Sequence, residues 1–249
     1  MLTLDVALMS EPGGRPYNED AAGHWRSDTQ LCCVLADGAG GHGGGDLASR
    51  WAVQDFISRL AAAPVKEAAD LGELVRQANA ALIGQRLPNS PSADMHSTLV
   101  CLVIDIAERR ARWAHAGDSR LYWFRQARLL SRTRDHSVVQ SLLDAGLLSG
   151  GDVNKHPRRS ELSSALGVAP ELFEVASDSG GPIEAGDVFL LCTDGLWEYV
   201  DEATLEATLG AATDPQGWLD TLGQRVMAAA AHKSSHDNFS ALTIWARAA

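Results

Sequence analysis

The order of strand-like and helix-like segments is the feature that most restricts the fold of this 249-residue chain. Alternating or continuous apolar runs predict strands, and apolar residues at helical spacing predict helices. The predicted strands are 2–9, 31–36, 98–106, 112–115, 121–124, 172–176, 188–193 and 239–245, and the predicted helices are 47–62, 71–85, 138–145, 202–209 and 215–231. Two helices follow the first strands, and several strands then come in succession without helices between them. This order excludes a parallel doubly wound sheet and predicts an α+β fold, mainly antiparallel, with helices covering the sheet faces.

The chain shows no sign of a division into domains. It has no repeat and no low-complexity linker, and the loop 88–93 is too short and too central to separate two domains. We therefore expect a single domain over residues 1–249. The segment 147–161 is rich in glycine, aspartate and basic residues and lacks periodicity, so we expect a surface loop or flap there.

Composition excludes several classes of function. The chain is 45% apolar and 21% charged, as in ordinary globular proteins, and its net charge of −11 argues against nucleic-acid binding. No apolar run is long enough to span a bilayer, and the first residues lack the basic start of a secretory signal. Cysteines 32, 33, 101 and 192 lie in apolar runs without C-x-x-C spacing, which predicts buried reduced thiols and no thiolate zinc site. We expect a cytoplasmic protein.

A glycine-rich loop follows one strand-like run, in the stretch VLADGAGGHGGG (34–45). It contains G-x-G-x-x-G at Gly38, Gly40 and Gly43. A dinucleotide-binding turn would require a second strand after the next helix, but another helix follows here, and a P-loop would require Lys-Ser or Lys-Thr after the glycines. We therefore interpret Asp37 as the functional residue of this stretch. The glycines let the chain turn sharply into the next helix, for which Asp46 is the predicted cap.

Aspartates recur at the ends of apolar strands. Asp37 and Asp194 each precede a glycine after a strand, Asp118 follows Gly117 after a third, and Asp237 comes just before the last strand. Singly, each is explained as a turn or a helix cap. Together they are costly to bury without cations, and all-oxygen ligands predict Mg²⁺ or Mn²⁺ rather than zinc. More than three acids suggest more than one metal ion, an arrangement that serves in-line displacement at phosphorus.

The segment RPYNED (15–20) adds further candidates after the first strand. Glu19 and Asp20 contribute two more carboxylates. Arg15 has the planar guanidinium that binds phosphate in bidentate fashion, although a solvated loop arginine remains the alternative.

The chain resembles the PP2C-type (PPM) metal-dependent protein serine/threonine phosphatases in their compact bacterial form. The resemblance covers nearly the whole chain through an ordered set of motifs, and the set is far more specific than any member. The motifs are RPYNED (15–20), ADGAGGHGGGDLAS (36–49), STLVCLVID (97–105), AGDSRLYWF (116–124), RDHSVV (134–139), HPRR…SSALG (156–167), GDVFLLCTDGLWEYV (186–200) and HDNFSALTI (236–244). It implies a four-layer α-β-β-α sandwich of two mainly antiparallel sheets, with the metals at the sandwich edge.

The resemblance also implies roles for the aspartates. Asp37 would bridge two Mn²⁺ or Mg²⁺ ions, with the Gly38 carbonyl on the second. Asp194 and Asp237 would hold the first ion. Asp118 would help Asp194 to hold the third, weaker ion of bacterial members.

The remaining roles concern the substrate. Asp20, together with Glu19, would orient metal-bound waters, and Arg15 would bind the substrate phosphate. The implied reaction is hydrolysis of phosphoserine and phosphothreonine in proteins by a metal-activated bridging hydroxide, in one displacement and without a phosphoenzyme. The implied partners are phosphorylated proteins and a cognate bacterial serine/threonine kinase.

Two positions depart from the family pattern in having lost or gained a histidine. Some relatives have a histidine directly after the first Asp-Gly that is thought to protonate the leaving oxygen, but this chain has Ala39. The general acid is therefore unassigned, with a metal-bound water as a candidate. His42 is interpreted as a loop or packing residue, and His232 and His236 as non-ligands. His96 replaces the usual glycine before Ser97-Thr98, near the cleft, where it bears on substrate preference.

Other functions stay open. A phosphatase-like binding module that has lost turnover would normally lack a metal aspartate, and none is missing. A partner-switching phosphatase acting on an anti-sigma antagonist would normally carry a sensory domain, for which the motif set leaves no room. The substrate protein and the choice between phosphoserine and phosphothreonine are open.

Overall fold

The protein is described by a computed structural model over residues 2–39, 44–149 and 156–248. The strands in these ranges are β1 Leu2–Glu11, β2 Asp20–Arg26, β3 Gln30–Ala39, β4 His96–Ser97, β5 Leu99–Asp105, β6 Arg110–Ala116, β7 Arg120–Arg125, β8 Arg128–Arg132, β9 Ala176–Pro182, β10 Asp187–Cys192 and β11 Phe239–Ala248. The helices are α1 Gly45–Ala62, α2 Ala68–Gly84, α3 Val138–Asp144, α4 Asp194–Trp197, α5 Glu202–Ala211 and α6 Pro215–Ala230.

The strands form two antiparallel sheets. The first has the order β1-β11-β10-β7-β8, and the second has the order β2-β3-β5-β6-β9 with β4 paired to β3. The ladders are antiparallel in both sheets. The predicted α+β class with mainly antiparallel sheets is therefore confirmed.

The central strands are apolar without interruption because both of their faces are covered. Successive residues of β3 alternate between two cores: Leu35 packs between the sheets, whereas Val34 packs under α1 and α2. The inter-sheet core joins Leu35 to Phe189 and Leu242 of the first sheet. The outer face of the first sheet is covered by α5 and α6, with Trp218 fully buried. The layers are helix, sheet, sheet, helix, as the resemblance implied.

Some elements differ from the sequence prediction. The strand predicted over 172–176 is wrong: a 3-10 turn occupies Pro170–Leu172, and β9 lies at Ala176–Pro182, whose sequence ASDSGGP has no apolar periodicity. Strands β2, β4 and β8 and the four-residue α4 were not predicted, because they are short or half-exposed. Asp46 is not a helix cap: Gly44 holds that position, and Asp46 is ion-paired with Arg50 inside the first turn.

The other expectations can be checked only in part. Gly40, His42 and Gly43 lie outside the described residues, as do residues 150–155 of the predicted flap. All four cysteines are buried free thiols, as predicted. Among the described residues, none of the helices combines the length and the hydropathy needed to cross a membrane.

Candidate metal centre

Five aspartates from both sheets lie together at one end of the sandwich, and we call them the carboxylate cluster. Asp20 begins β2 and pairs with Asp37 of β3 in the antiparallel ladder. Asp118 lies in the turn between β6 and β7, Asp194 begins α4 directly after β10, and Asp237 comes just before β11. Asp37 is close enough to the other four for their charges to act on it. The structure therefore brings together the aspartates selected from the sequence.

Burial and nearby carboxylates raise the pKa of Asp20, Asp37, Asp118 and Asp194. Burial raises the pKa of Asp20 to about 6 and that of Asp118 to about 7. The pKa values of Asp37 and Asp194 are raised well above the usual range, first by burial and then by the neighbouring carboxylates. Removal from water and like charge both disfavour the ionised form, and a cation at the cluster would oppose both.

The cluster also contains carboxylate oxygens without partners. Asp20 Oδ1, Asp194 Oδ1 and the nearby Glu19 Oε1 are buried and make no hydrogen bond. In the described part of the chain, Asp237 is the one member of the cluster that pairs with a basic side chain, through Arg15 Nη2 at 2.9 Å. Buried oxygens without a donor cost free energy, and several of them in one place fit a hard divalent cation.

The carboxylates are neighbours rather than a preformed cage. Among the described residues, no group of three His, Cys, Asp or Glu side chains is already arranged to hold a metal ion. The donor set therefore fits divalent ions chemically, and binding them would require the carboxylates to draw closer.

Thr98 fixes the backbone of Asp37 and connects it to the turn that carries Asp118. The Asp37 N–H donates to Thr98 Oγ1 at 2.9 Å, and the Thr98 N–H donates to the Asp37 carbonyl at 2.8 Å. Because its oxygen accepts from Asp37, the Thr98 hydroxyl can donate to Ser119 Oγ, 2.7 Å away. Sequence reasoning singled out neither Thr98 nor Ser119, although Thr98 lies in the quoted motif STLVCLVID.

Two glycines beside the acids are required by close packing. A Cβ on Gly38 would lie 2.6 Å from the Glu19 carbonyl oxygen and would collide with the Gly45 carbonyl. Gly117 has φ +103°, and a Cβ there would lie 2.7 Å from Thr98 Cγ2. The Asp-Gly and Gly-Asp pairs seen in the sequence therefore reflect backbone segments that approach one another at the cluster.

An aromatic side chain supports the Asp118 turn from behind. Trp197 Nε1 donates to the Asp118 carbonyl at 2.9 Å. The guanidinium of Arg120 lies 3.6 Å from the centre of the Trp197 ring and binds Asp135 through two hydrogen bonds of 2.8 and 2.7 Å. Trp197 thus joins α4, which begins with Asp194, to the turn that carries Asp118.

The loop that carries Arg15 is held by Asn238. Asn238 Nδ2 donates to the carbonyls of Pro12 and Tyr17, at 2.8 and 3.0 Å, and its Oδ1 accepts from the Glu19 N–H at 2.9 Å. The Arg15 side chain is half exposed and is positioned over the cluster by Asp237. Asn238 was also missed, and its place directly after Asp237 was the available signal.

The imidazole of His96 does not take the place of the histidine absent at position 39. His96 lies directly opposite Ala39 in the β3–β4 pair, so the imidazole is on the neighbouring strand. Its Nε2 lies 3.1 Å from Arg86 Nη2, and its Nδ1 lies 3.3 Å from the Asp94 carbonyl oxygen. Both ring nitrogens are engaged within the protein. The interpretation of His232 and His236 as non-ligands stays a prediction.

Comparison with known proteins identifies relatives along most of the chain. The family model described as protein phosphatase 2C matches residues 14–142. A serine/threonine phosphatase, stp, of Listeria innocua is 34% identical over 201 residues, which are 78% of this chain and 78% of that protein.

Solved structures agree over nearly the full length. The serine/threonine phosphatase Stp1 from Staphylococcus aureus superposes with a TM-score of 0.85 at 27% identity, covering 98% of this chain and 95% of that one. The catalytic domain of the phosphatase PstP in complex with two manganese ions superposes with a TM-score of 0.79 at 28% identity, covering 100% of each chain.

Proposed function

Because the chain belongs to the protein phosphatase 2C family and is a protein serine/threonine phosphatase, we propose that the carboxylate cluster is its metal centre. The observation that carries this proposal is the burial of mutually repelling carboxylates with unpartnered oxygens at Asp20 and Asp194. Burying these carboxylates without counter-charges costs free energy, and bound cations would offset that cost.

The cluster would bind two Mn²⁺ or Mg²⁺ ions and a third, weaker one. Asp37 would hold both core ions, the Gly38 carbonyl would hold the second, Asp194 and Asp237 would hold the first, and Asp118 with Asp194 would hold the third. When bound, the ions supply an activated water at neutral pH and positive charge beside the phosphoryl oxygens.

The protein's own side chains bind and orient the substrate. Arg15 presents a half-exposed guanidinium next to Asp237, where two of its N–H groups can bind the phosphate of phosphoserine or phosphothreonine. Asp20 Oδ2 accepts a hydrogen bond of 3.0 Å from Thr193 Oγ1, which leaves its unpartnered Oδ1 to orient water. Glu19 Oε1 is available for the same purpose.

The wider setting is proposed on the same basis. Proteins of this class act on phosphoproteins, and we infer that this one opposes a bacterial serine/threonine kinase. Four buried free thiols are compatible with a reducing compartment and support a cytoplasmic location. We also infer that residues 1–249 act as one domain.

The test is hydrolysis of a phosphothreonine peptide with EDTA, Mg²⁺ or Mn²⁺, together with calorimetric titration of Mn²⁺. We expect activity only with an added ion, and loss of activity and of Mn²⁺ binding in Asp194→Asn. Folded protein that binds Mn²⁺ without turnover would instead favour the binding-module alternative. Folded protein that binds no divalent ion would overturn the proposed metal centre.

A further inference from the structure

A pocket of about 370 Å³ lies beside the carboxylate cluster. Ala39 lines it, two residues after Asp37 on β3. The described residues around it are Ala39, Asp94 and His96 on one wall and Ser160, Leu162, Ser164, Ala165 and Val168 on the other. The volume is at the lower end of the range for ligand pockets and suits one long side chain.

Backbone hydrogen bonds fix this pocket relative to Asp37. Strand β4 pairs with the end of β3, with Ala39 opposite His96 and Gly38 opposite Ser97. Ser97 also binds the second wall: its N–H donates to the Leu166 carbonyl at 3.1 Å, and the Leu166 N–H donates back at 2.8 Å. The pocket and the carboxylate cluster are therefore parts of one hydrogen-bonded framework.

The floor of the pocket is apolar, and its rim carries a negative charge. Ala39, Leu162, Ala165 and Val168 contribute aliphatic groups to the lining. The Asp94 side chain is 92% exposed, and its nearest ionisable neighbour is His96 Nδ1 at 3.6 Å. In the described part of the chain, Asp94 pairs with no lysine or arginine. Its carboxylate is therefore available to a cation from outside.

His96 does not cancel the charge of Asp94. A guanidinium can only donate hydrogen bonds, so Arg86 Nη2 requires His96 Nε2 to act as the acceptor at 3.1 Å. The ring proton is then on Nδ1, facing the Asp94 carbonyl oxygen. In this arrangement His96 is a neutral wall of the pocket.

Two arginines that precede the second wall in the described part of the chain are ion-paired. Arg158 is ion-paired with Glu161 at 2.7 Å, and Arg159 is ion-paired with Glu198 at 3.3 Å. These pairs compensate the charges of Arg158 and Arg159, so Arg86, which donates to His96 Nε2, is the nearby arginine without a carboxylate partner in the described residues. The chain's net charge of −11 favours encounter with basic protein segments.

We propose that this pocket, the Asp94 pocket, receives a lysine or arginine side chain of the substrate protein, close in sequence to the phosphorylated residue. The aliphatic stem would lie on the apolar floor, and the charged head would reach the Asp94 carboxylate, as long basic side chains do at boundaries between apolar surface and water. The proposal rests on the function proposed above and adds a substrate class to it: basic phosphoprotein segments.

The experiment compares three substrates with Mn²⁺ present. Two are phosphothreonine peptides that differ only in having arginine or glutamine at the flanking positions, and the third is para-nitrophenyl phosphate, which has no flanking residue. The variants are Asp94→Asn and Asp94→Lys, both at an exposed site. The matched controls are Asp28→Asn and Asp28→Lys, because Asp28 is also exposed but precedes β3 at its opposite end.

We expect kcat/KM of the wild-type protein to be about 5-fold higher for the arginine peptide than for the glutamine peptide. This is the effect of a single ion pair that is exposed or only partly desolvated. Asp94→Asn should remove the preference and Asp94→Lys should reverse it, while the Asp28 variants keep it and para-nitrophenyl phosphate is hydrolysed equally by all. An unchanged peptide ratio in Asp94→Asn, or an equal loss on all three substrates, would overturn the pocket assignment. Wild-type protein that hydrolyses none of the three would overturn the proposed function and this inference with it.

Discussion

Strand β10 begins at Asp187, and Asp194 follows two residues after its end. The two aspartates have opposite electrostatic surroundings. Asp187 at its start is fully buried, receives two hydrogen bonds of 2.7 and 2.9 Å from Arg125, and accepts a third from the Glu184 N–H. Asp194 has a buried Oδ1 without a partner and carboxylates as neighbours. Asp187 therefore has a basic partner in the protein, whereas Asp194 has none among the described residues. Arg125 compensates the buried charge of Asp187, whereas a bound cation would be needed to compensate an ionised Asp194.

The same contrast recurs within the candidate metal centre. Asp135, buried behind the cluster, binds Arg120 through both carboxylate oxygens. Asp118, equally buried, pairs with no basic side chain in the described part of the chain, and its pKa is raised to about 7, first by burial and then by Asp135. Burial alone therefore does not distinguish Asp118 from Asp135, whereas the presence or absence of a basic partner does.

The largest expected effect is loss of activity in Asp194→Asn. We expect kcat to fall at least about 10³-fold, or about 4 kcal/mol, because a neutral amide is a poor ligand for a hard cation. In EDTA the variant should be at least as stable as the wild type, since a repelling charge has been removed. The measurements are hydrolysis of para-nitrophenyl phosphate with Mn²⁺ and thermal unfolding in EDTA; a marked loss of stability in EDTA would contradict the comparison.

Asp187→Asn should have the opposite profile. We expect the free energy of unfolding to fall by about 3 kcal/mol, because one partner of a buried ion pair is removed. Activity per folded molecule should stay close to that of the wild type, because Asp187 is at the far end of β10 from the cluster. Urea unfolding measures the free energy, and activity assays at low temperature measure the activity per folded molecule. Unchanged stability would show that the Arg125–Asp187 pair makes no net contribution to the free energy of unfolding.

The pH dependence of stability without metal is a third test. The pKa values of Asp20 and Asp118 are about 6 and about 7 in the folded protein against an ordinary value of 3.8, so between about pH 4 and 7 the folded state binds more protons than the unfolded state. Stability in EDTA should therefore fall as pH rises through this window, by at least about 2 kcal/mol at about 1.4 kcal/mol per pKa unit. Saturating Mn²⁺ should suppress or reverse the trend. Denaturant unfolding at pH 5, 6 and 7 measures it, and a rise in stability in EDTA would show that the cluster is not a source of repulsion.

The smallest effect is expected at Arg15, the one basic partner of the cluster in the described residues. Arg15→Ala should lower kcat/KM about 10-fold through loss of phosphate binding, with Arg15→Lys recovering part of it. Stability should change by less than about 0.5 kcal/mol, because the Arg15–Asp237 pair is half exposed. Steady-state kinetics and thermal unfolding separate the two effects. A stability loss as large as that of Asp187→Asn would mean that the pair belongs to the fold.

Much of the site was predictable because its signal is local. Asp37, Asp118 and Asp194 each adjoin a glycine at the end of an apolar strand, and both features can be read along a few residues. Strand β9 was misplaced and β2 was missed because exposed edge strands carry no apolar alternation. Asp46 was assigned as a cap on composition alone, whereas Gly44 takes that position in the three-dimensional turn.

The residues missed in the site are those that act through contacts distant in sequence. Thr98 joins Asp37 to Ser119, Asn238 holds the Arg15 loop, and Trp197 of α4 supports the Asp118 turn. Apart from the position of Asn238 directly after Asp237, the sequence around these residues does not indicate such a partner.

The order of apolar runs and the acids at their ends was sufficient to determine the α+β class, the family resemblance and the candidate ligands, because burial and turn formation depend on residues near in sequence. Tertiary structure alone decided which buried acids received an arginine and which did not. It also placed His96 opposite Ala39 and opened the Asp94 pocket beside the cluster. Electrostatic pairing depends on distance through space: Arg125, the basic partner of Asp187, and the acids Asp118 and Asp237 that act on Asp194 are all tens of residues away along the chain.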